Sequence, residues 1–168
     1  MIRPERVLTK SFLLDIHYTF AYYLMKPFWF WLVQVRDTGL LHHILQIPSH
    51  KRLLAHPQMG FSWEGMVIEE LLRTLNAAGI QYVAYYYRTS GGAEVDLVIE
   101  GKFGLIPFEI KHTQNVHSRH FRALRDFVNE FDCPYGIIII NNDKKIRLYD
   151  EKLTGIPFSI LTGKGLDL

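Results

Sequence analysis

The stretch Glu94-Val95-Asp96-Leu97-Val98-Ile99-Glu100, Gly101-Lys102-Phe103-Gly104, Leu105-Ile106-Pro107-Phe108-Glu109-Ile110-Lys111 decides how this chain folds. Both arms alternate apolar and polar residues, and a strand turns successive side chains to opposite faces. Val95, Leu97 and Ile99 then share one face, as do Ile106, Phe108 and Ile110. Asp96, Glu109 and Lys111 point to the other. The four residues Gly101 to Gly104 read as a hairpin loop. Symmetric pairing across that loop sets Glu100 opposite Leu105 and Asp96 opposite Glu109. Two carboxylates about 5 Å apart repel by roughly 3 kcal/mol at an effective dielectric near 20. Something positive belongs beside them, and Lys111 or a metal ion meets that need. The plainer reading is that a hairpin with one apolar face simply turns its charged face to water.

A fourth polar residue, Glu64, lies in Phe61 to Gly79, which the spacing predicts as a helix with Ser62 as cap and Gly79 as stop. Glu64 shares the stripe of Val67, Ile68, Leu71 and Leu75, the buried face of an amphipathic helix. A carboxylate there is costly unless paired or bound to metal. A half-exposed glutamate near the first turn is the alternative, and the helix dipole would favour it.

These residues and their order resemble the PD-(D/E)xK nuclease superfamily: Glu64 on a first helix, Asp96, then Glu109-x-Lys111, then another helix and strand. The segments DTGLLHHIL, HPQMGFSWEGMVIEELLR, YYYRTSGGAEVDLVIE and PFEIKHT resemble one group more closely. That group is the nuclease-like C-terminal domain of a family of bacterial and archaeal AAA-type ATPases, and the resemblance runs from about Val35 to Leu161. It implies an α/β fold with a restriction-endonuclease-like core, a central mixed sheet whose hairpin carries the acidic site, and flanking helices. By position it makes Asp96 and Glu109 ligands of Mg²⁺ or Mn²⁺, with Glu64 helping directly or through water. Lys111 becomes the residue that orients or activates water. The substrate implied is DNA.

The rest of the chain reads as one α/β unit. Gln81 to Arg88 suits a first strand, Ser118 to Phe131 a helix with Phe121, Leu124, Val128 and Phe131 buried, and Tyr135 to Ile140 a buried strand. Asn141-Asn142-Asp143 reads as a turn and Lys145 to Tyr149 as a further strand. Tyr85, Tyr86 and Tyr87 read first as core, with base stacking as the alternative. Arg122 and Asp126 are spaced to pair on the exposed side of their helix. Arg88, Lys102 and His112 are candidates for a nucleic-acid backbone, beside the plainer reading of scattered surface charge; Lys144 and Lys145 share it. His112, His117 and His120 fit no zinc-ligand spacing.

Composition bounds the answer. With 168 residues the chain can bury one good core, and a net charge of +2 advertises no strong basic field. The single cysteine, Cys133, excludes an intramolecular disulfide, fits a reducing cytoplasm, and reads as a small buried hydrophobe. Residues 1–34 form a separate aromatic-rich segment ahead of the domain at 35–168. Within Phe12 to Val35, Asp15, His17, Lys26 and Pro27 interrupt any membrane span. Packing on the domain or a homodimer contact is the expected use, with interfacial membrane contact through Trp29 and Trp31 as the alternative. Gly163-Lys164 is preceded by Phe158 at the place where a phosphate-binding loop needs glycine, so the motif is not formed. The proteins resembled carry an ATPase module ahead of this domain, so the resemblance implies that the chain is the C-terminal piece of such a protein.

Two functions follow. One is a metal-dependent phosphodiester hydrolase acting on DNA. The other is a non-catalytic module that keeps the nuclease fold and binds nucleic acid or protein, or dimerises.

Overall fold

A computed structural model describes residues 6–10, 38–89, 91–113, 121–141 and 145–162. The chain divides into two compact units, one of Met1–Ser11 with Glu70–Leu168, the other of Phe12–Glu69. The aromatic run from Phe12 to Val35 lies outside the described residues, as do His117, His120, Asn142, Asp143 and Lys144.

Among the described residues the first unit is built on a seven-stranded mixed sheet. In chain order its strands are β1 (Arg6–Lys10), β2 (Tyr82–Thr89), β3 (Glu94–Gly101), β4 (Gly104–Lys111), β5 (Gly136–Ile140), β6 (Arg147–Leu148) and β7 (Leu153–Pro157). They lie side by side as β1-β2-β3-β4-β5-β7-β6. The pairs from β1 to β4 are antiparallel, β4 with β5 and β5 with β7 are parallel, and β6 returns antiparallel on β7. Parallel neighbours need a crossover. Between β4 and β5 it contains a helix, Arg122–Glu130.

The β3–β4 hairpin is tighter than its sequence suggests. Gly101 pairs with Gly104, so Lys102 and Phe103 alone make the connection. Gly104 sits at φ 90°, a left-handed conformation that favours glycine. The register is the one expected, with Glu100 opposite Leu105.

The alternation is corrected at β3. Tyr85 pairs with Val98 while Tyr87 pairs with Val95, so Asp96 and Leu97 together face the single residue Tyr86. Such a bulge shifts the phase of the strand. Val95 and Val98 therefore enter one core cluster with Tyr87, where unbroken alternation would group Val95 with Leu97 and Ile99.

That cluster is sealed by the helix Arg122–Glu130. Leu124, Phe127 and Val128 lie against Ile138, Ile140 and Leu153, and Phe121 and Cys133 complete it. The Phe127 ring meets Tyr87 edge-on at 4.7 Å and stacks with Phe131 at 4.4 Å. Phe127 was not among the expected core positions, whereas Phe131 is only partly buried. Burial pushes the Cys133 thiol up to about 11, as suits an inert core residue.

β7, also unforeseen, inserts between β5 and β6. Its sequence LTGIP carries the strand-poor residues glycine and proline. Gly155 is needed because an added Cβ would lie 2.6 Å from the Tyr149 ring. Asp150 closes the turn before it: Arg125 donates to Asp150 Oδ2 from Nε and Nη2, each at 2.9 Å, and the Lys152 amide donates to Oδ1 at 3.0 Å. The expected Arg122–Asp126 pair forms at 4.0 Å on the exposed side of the helix.

The second unit contains α1 (Thr38–Ile44), α2 (His50–Leu54) and the start of α3 (Met59–Ala77), which runs on into the first unit. The helix Arg122–Glu130 is α4, and Phe158–Leu161 is α5. α3 begins earlier than expected, and Ser62 does not cap it. The Ser62 amide already donates to the Gln58 carbonyl at 2.9 Å, and its buried hydroxyl lies 2.7 Å from His42 Nε2. Among the described residues no helix is long and apolar enough to cross a membrane.

Phe127→Ala should lower stability by about 3–5 kcal/mol in urea unfolding, because a fully buried ring leaves a cavity. Burial raises the Asp150 carboxyl, but the Arg125 guanidinium and the turn amides together outweigh it and hold the carboxyl below its ordinary range. A lowered folded value stabilises above the unfolded pKa near 4 and is lost as pH falls through the folded one. Asp150→Asn should therefore cost stability at neutral pH, and the difference from wild type should shrink towards pH 2.

Candidate functional site

The hairpin brings Asp96, Glu109 and Lys111 together. Lys111 Nζ lies 2.5 Å from Glu109 Oε1 and 3.8 Å from Asp96 Oδ2. Glu109 is only 6% exposed, in the middle of the sheet, beside Ile138 of β5. Burial of a charged carboxylate at such a position requires a close counter-charge. Lys111, two residues further along the same strand, provides it.

Asp96 reaches the set by a route that period-two alternation does not describe. The paired ladder between β3 and β4 runs from Gly101–Gly104 to Leu97–Phe108. At the next step the Ile110 amide donates to Asp96 Oδ2 at 2.7 Å. The bulge opposite Tyr86 thus turns a strand position into a side-chain acceptor for the neighbouring strand. Burial lifts the Asp96 carboxyl above its ordinary range; the Lys111 ammonium and the Ile110 amide oppose this, and the Glu94 charge adds to it.

Tyr86 and Glu94 belong to the same neighbourhood; the sequence offered Tyr86 as core or for base stacking and did not single out Glu94 as a site residue. Burial and then the Glu94 carboxylate push the Tyr86 phenol up, with Asp96 contributing. Glu94 itself pairs with Arg88 at 2.9 Å. Tyr85 instead donates its hydroxyl to Glu100 at 2.6 Å, and Tyr87 is core.

The other candidates belong to different elements of the chain. Glu64 is partly buried on α3 in the second unit, next to the buried Trp63 and Gly65. Arg88 is engaged by Glu94, Lys102 is exposed at the hairpin tip, and His112 is exposed just beyond β4. Lys145 is exposed ahead of β6.

Chemically, Asp96 and Glu109 offer hard oxygen donors, which suit Mg²⁺ or Mn²⁺ retaining most of its water. A cation there would compete with the Lys111 ammonium for the same oxygens. Among the described residues, no three His, Cys, Asp or Glu side chains are grouped to hold a metal.

The two acids should respond oppositely to the loss of their charge or partner. A raised folded value stabilises below the unfolded pKa and is lost as pH rises through the folded value. Asp96→Asn should therefore be at least as stable as wild type at neutral pH, and should remove the loss that wild type shows as pH rises above the unfolded value near 4. Lys111→Met removes the ammonium from buried Glu109 and should cost roughly 3 kcal/mol. Urea unfolding of the three proteins across pH checks both; a strongly destabilised Asp96→Asn would contradict the first.

Comparison with known proteins places this hairpin in a wider group. No solved structure matches the chain. Two curated relatives do, an uncharacterised protein of Mycobacterium tuberculosis and one of Mycobacterium bovis. Each is 42% identical over 135 residues, which is 80% of this chain. The matched part is 29% of either relative, so the chain spans less than a third of their length. A family model described as a domain of unknown function, DUF4143, matches residues 59–161, from the start of α3 to the end of α5. Asp96, Glu109 and Lys111 all fall within that match, and the chain belongs to the DUF4143 family.

Proposed function

We propose that this domain is a non-catalytic interaction module that keeps a nuclease-type core and pairs with protein, in the first instance with a second copy of itself. The observation that carries this reading is the internal neutralisation of the hairpin acids. Lys111 sits against Glu109 and close to Asp96, and burial biases Asp96 towards its uncharged form. Acids already countered by a lysine of the same hairpin have little charge left for a metal ion. The small net charge of +2 favours a protein partner over a nucleic-acid backbone. Exposed Ile80, Val83 and Phe103 give this unit apolar contact surface around the hairpin tip. A lone buried thiol, Cys133, suits a reducing cytoplasm.

A second reading is favoured by one specific observation, that Lys111 reaches both carboxylates. It is a PD-(D/E)xK-type hydrolase of DNA. Asp96 and Glu109 would hold Mg²⁺ or Mn²⁺, whose charge assists attack on a phosphodiester. Lys111 would then hold and orient a water with its ammonium. In either reading, an AAA-type ATPase module in a longer protein carrying this domain is a proposal from the resemblance.

Calorimetric titration with Mn²⁺ separates the two, using wild type beside Asp96→Asn. The module predicts no saturable binding in either protein. Saturable binding by wild type that Asp96→Asn loses would overturn it in favour of the hydrolase.

A further inference from the structure

β1 is remote in sequence from the rest of its own unit. It contributes Arg6–Lys10, and the whole of Phe12–Glu69, which forms the other unit, intervenes before the first unit resumes at Glu70. In the strand order β1 is terminal, with β2 as its neighbour. Five consecutive residues pair antiparallel, from Arg6 with Thr89 to Lys10 with Tyr85. The β2 stretch so covered is the one that faces the β3 bulge and Asp96 on its other side.

A ladder of this kind is held by main-chain hydrogen bonds, which are the same whichever copy of the chain supplies the strand. Exchanging an identical element between copies conserves every pairing, so the balance rests on the connecting chain and on protein concentration. Leaving the β2 edge bare is the costly alternative, since Tyr85 to Thr89 would present unpaired amides and carbonyls.

We propose that β1 is an exchangeable strand, and that two copies of this chain pair by each laying its Arg6–Lys10 along Tyr85–Thr89 of the other. This rests on the reading of the domain as a self-pairing module and names the surface that does it. It also sets a link between pairing and the acidic hairpin, because the exchanged strand lies directly across β2 from the bulge.

The register supplies the test. Val7 pairs with Arg88, and paired residues in an antiparallel ladder are close enough for a disulfide. Val7→Cys and Arg88→Cys variants of this chain are mixed, oxidised mildly and run without reductant; Cys133 is buried and stays out of the reaction. Exchange predicts a cross-linked heterodimer whose share rises with protein concentration. The double variant carrying both cysteines in one chain reports the register itself and should link at any concentration. A double variant that closes only within its own chain, with no heterodimer from the mixed single variants, overturns exchange. Sedimentation of wild type then separates the two ideas. A dimer without the cross-link overturns exchange and leaves self-pairing standing, whereas a monomer at all concentrations overturns both.

Discussion

Glu109 is a carboxylate buried in the centre of a sheet, and the arrangement around it follows from making that tolerable. An ionised carboxylate withdrawn from water is stabilised only by a close, well-directed positive group. Lys111 meets the requirement from the same strand, two residues along, where the pleat returns a side chain to the same face. The ammonium is then held where it also attracts Asp96. A single pairing thus fixes the lysine and with it the third member of the cluster. Any cation at the cluster would compete with that ammonium for the same oxygens.

The bulge in β3 is the second determinant. Standing two residues, Asp96 and Leu97, against Tyr86 lets Val95 and Val98 both enter the core under α4 while Asp96 takes up the Ile110 amide. Without it, a regular ladder would use that amide for main-chain pairing and leave Asp96 a simple strand residue. Bulges recur where a sheet must re-aim one side chain, and here the re-aimed residue is an acid. The cost is an acid whose ionised form is disfavoured by burial. That is consistent with a site whose acids hold the fold together as much as they serve any ligand.

The sheet also joins parts of the chain that are far apart in sequence. β1 comes from before Phe12 and every other strand from beyond Glu70. An edge strand supplied across so long a connection is bound by backbone pairing with its neighbour, which is where exchange between copies is least expensive. The opposite edge is β6, two residues long, with Leu148 exposed. So short an edge offers little template for pairing, and the longer β2 edge is the one that needs cover.

By itself the sequence determined the hairpin and its register, the strands around Tyr82 and Ile137, α3, and the burial of Leu124, Val128 and Cys133. Each rests on local periodicity, on turn glycines such as Gly104, or on composition, and these act over a few residues. It also singled out Asp96, Glu109 and Lys111, because acids alternating with apolar residues on facing strands are visible in one dimension. Tertiary structure decided the rest. The Asp96–Leu97 bulge depends on what α4 demands of Val95 and Val98, a demand that comes from beyond residue 120. β7 was hidden because LTGIP has weak strand character and becomes a strand only between two waiting neighbours, with Gly155 making room for Tyr149. Ser62 looked like a cap until His42, from another helix, took its hydroxyl. In each case local preference was overruled by a partner distant along the chain, and no short-range pattern carries that information.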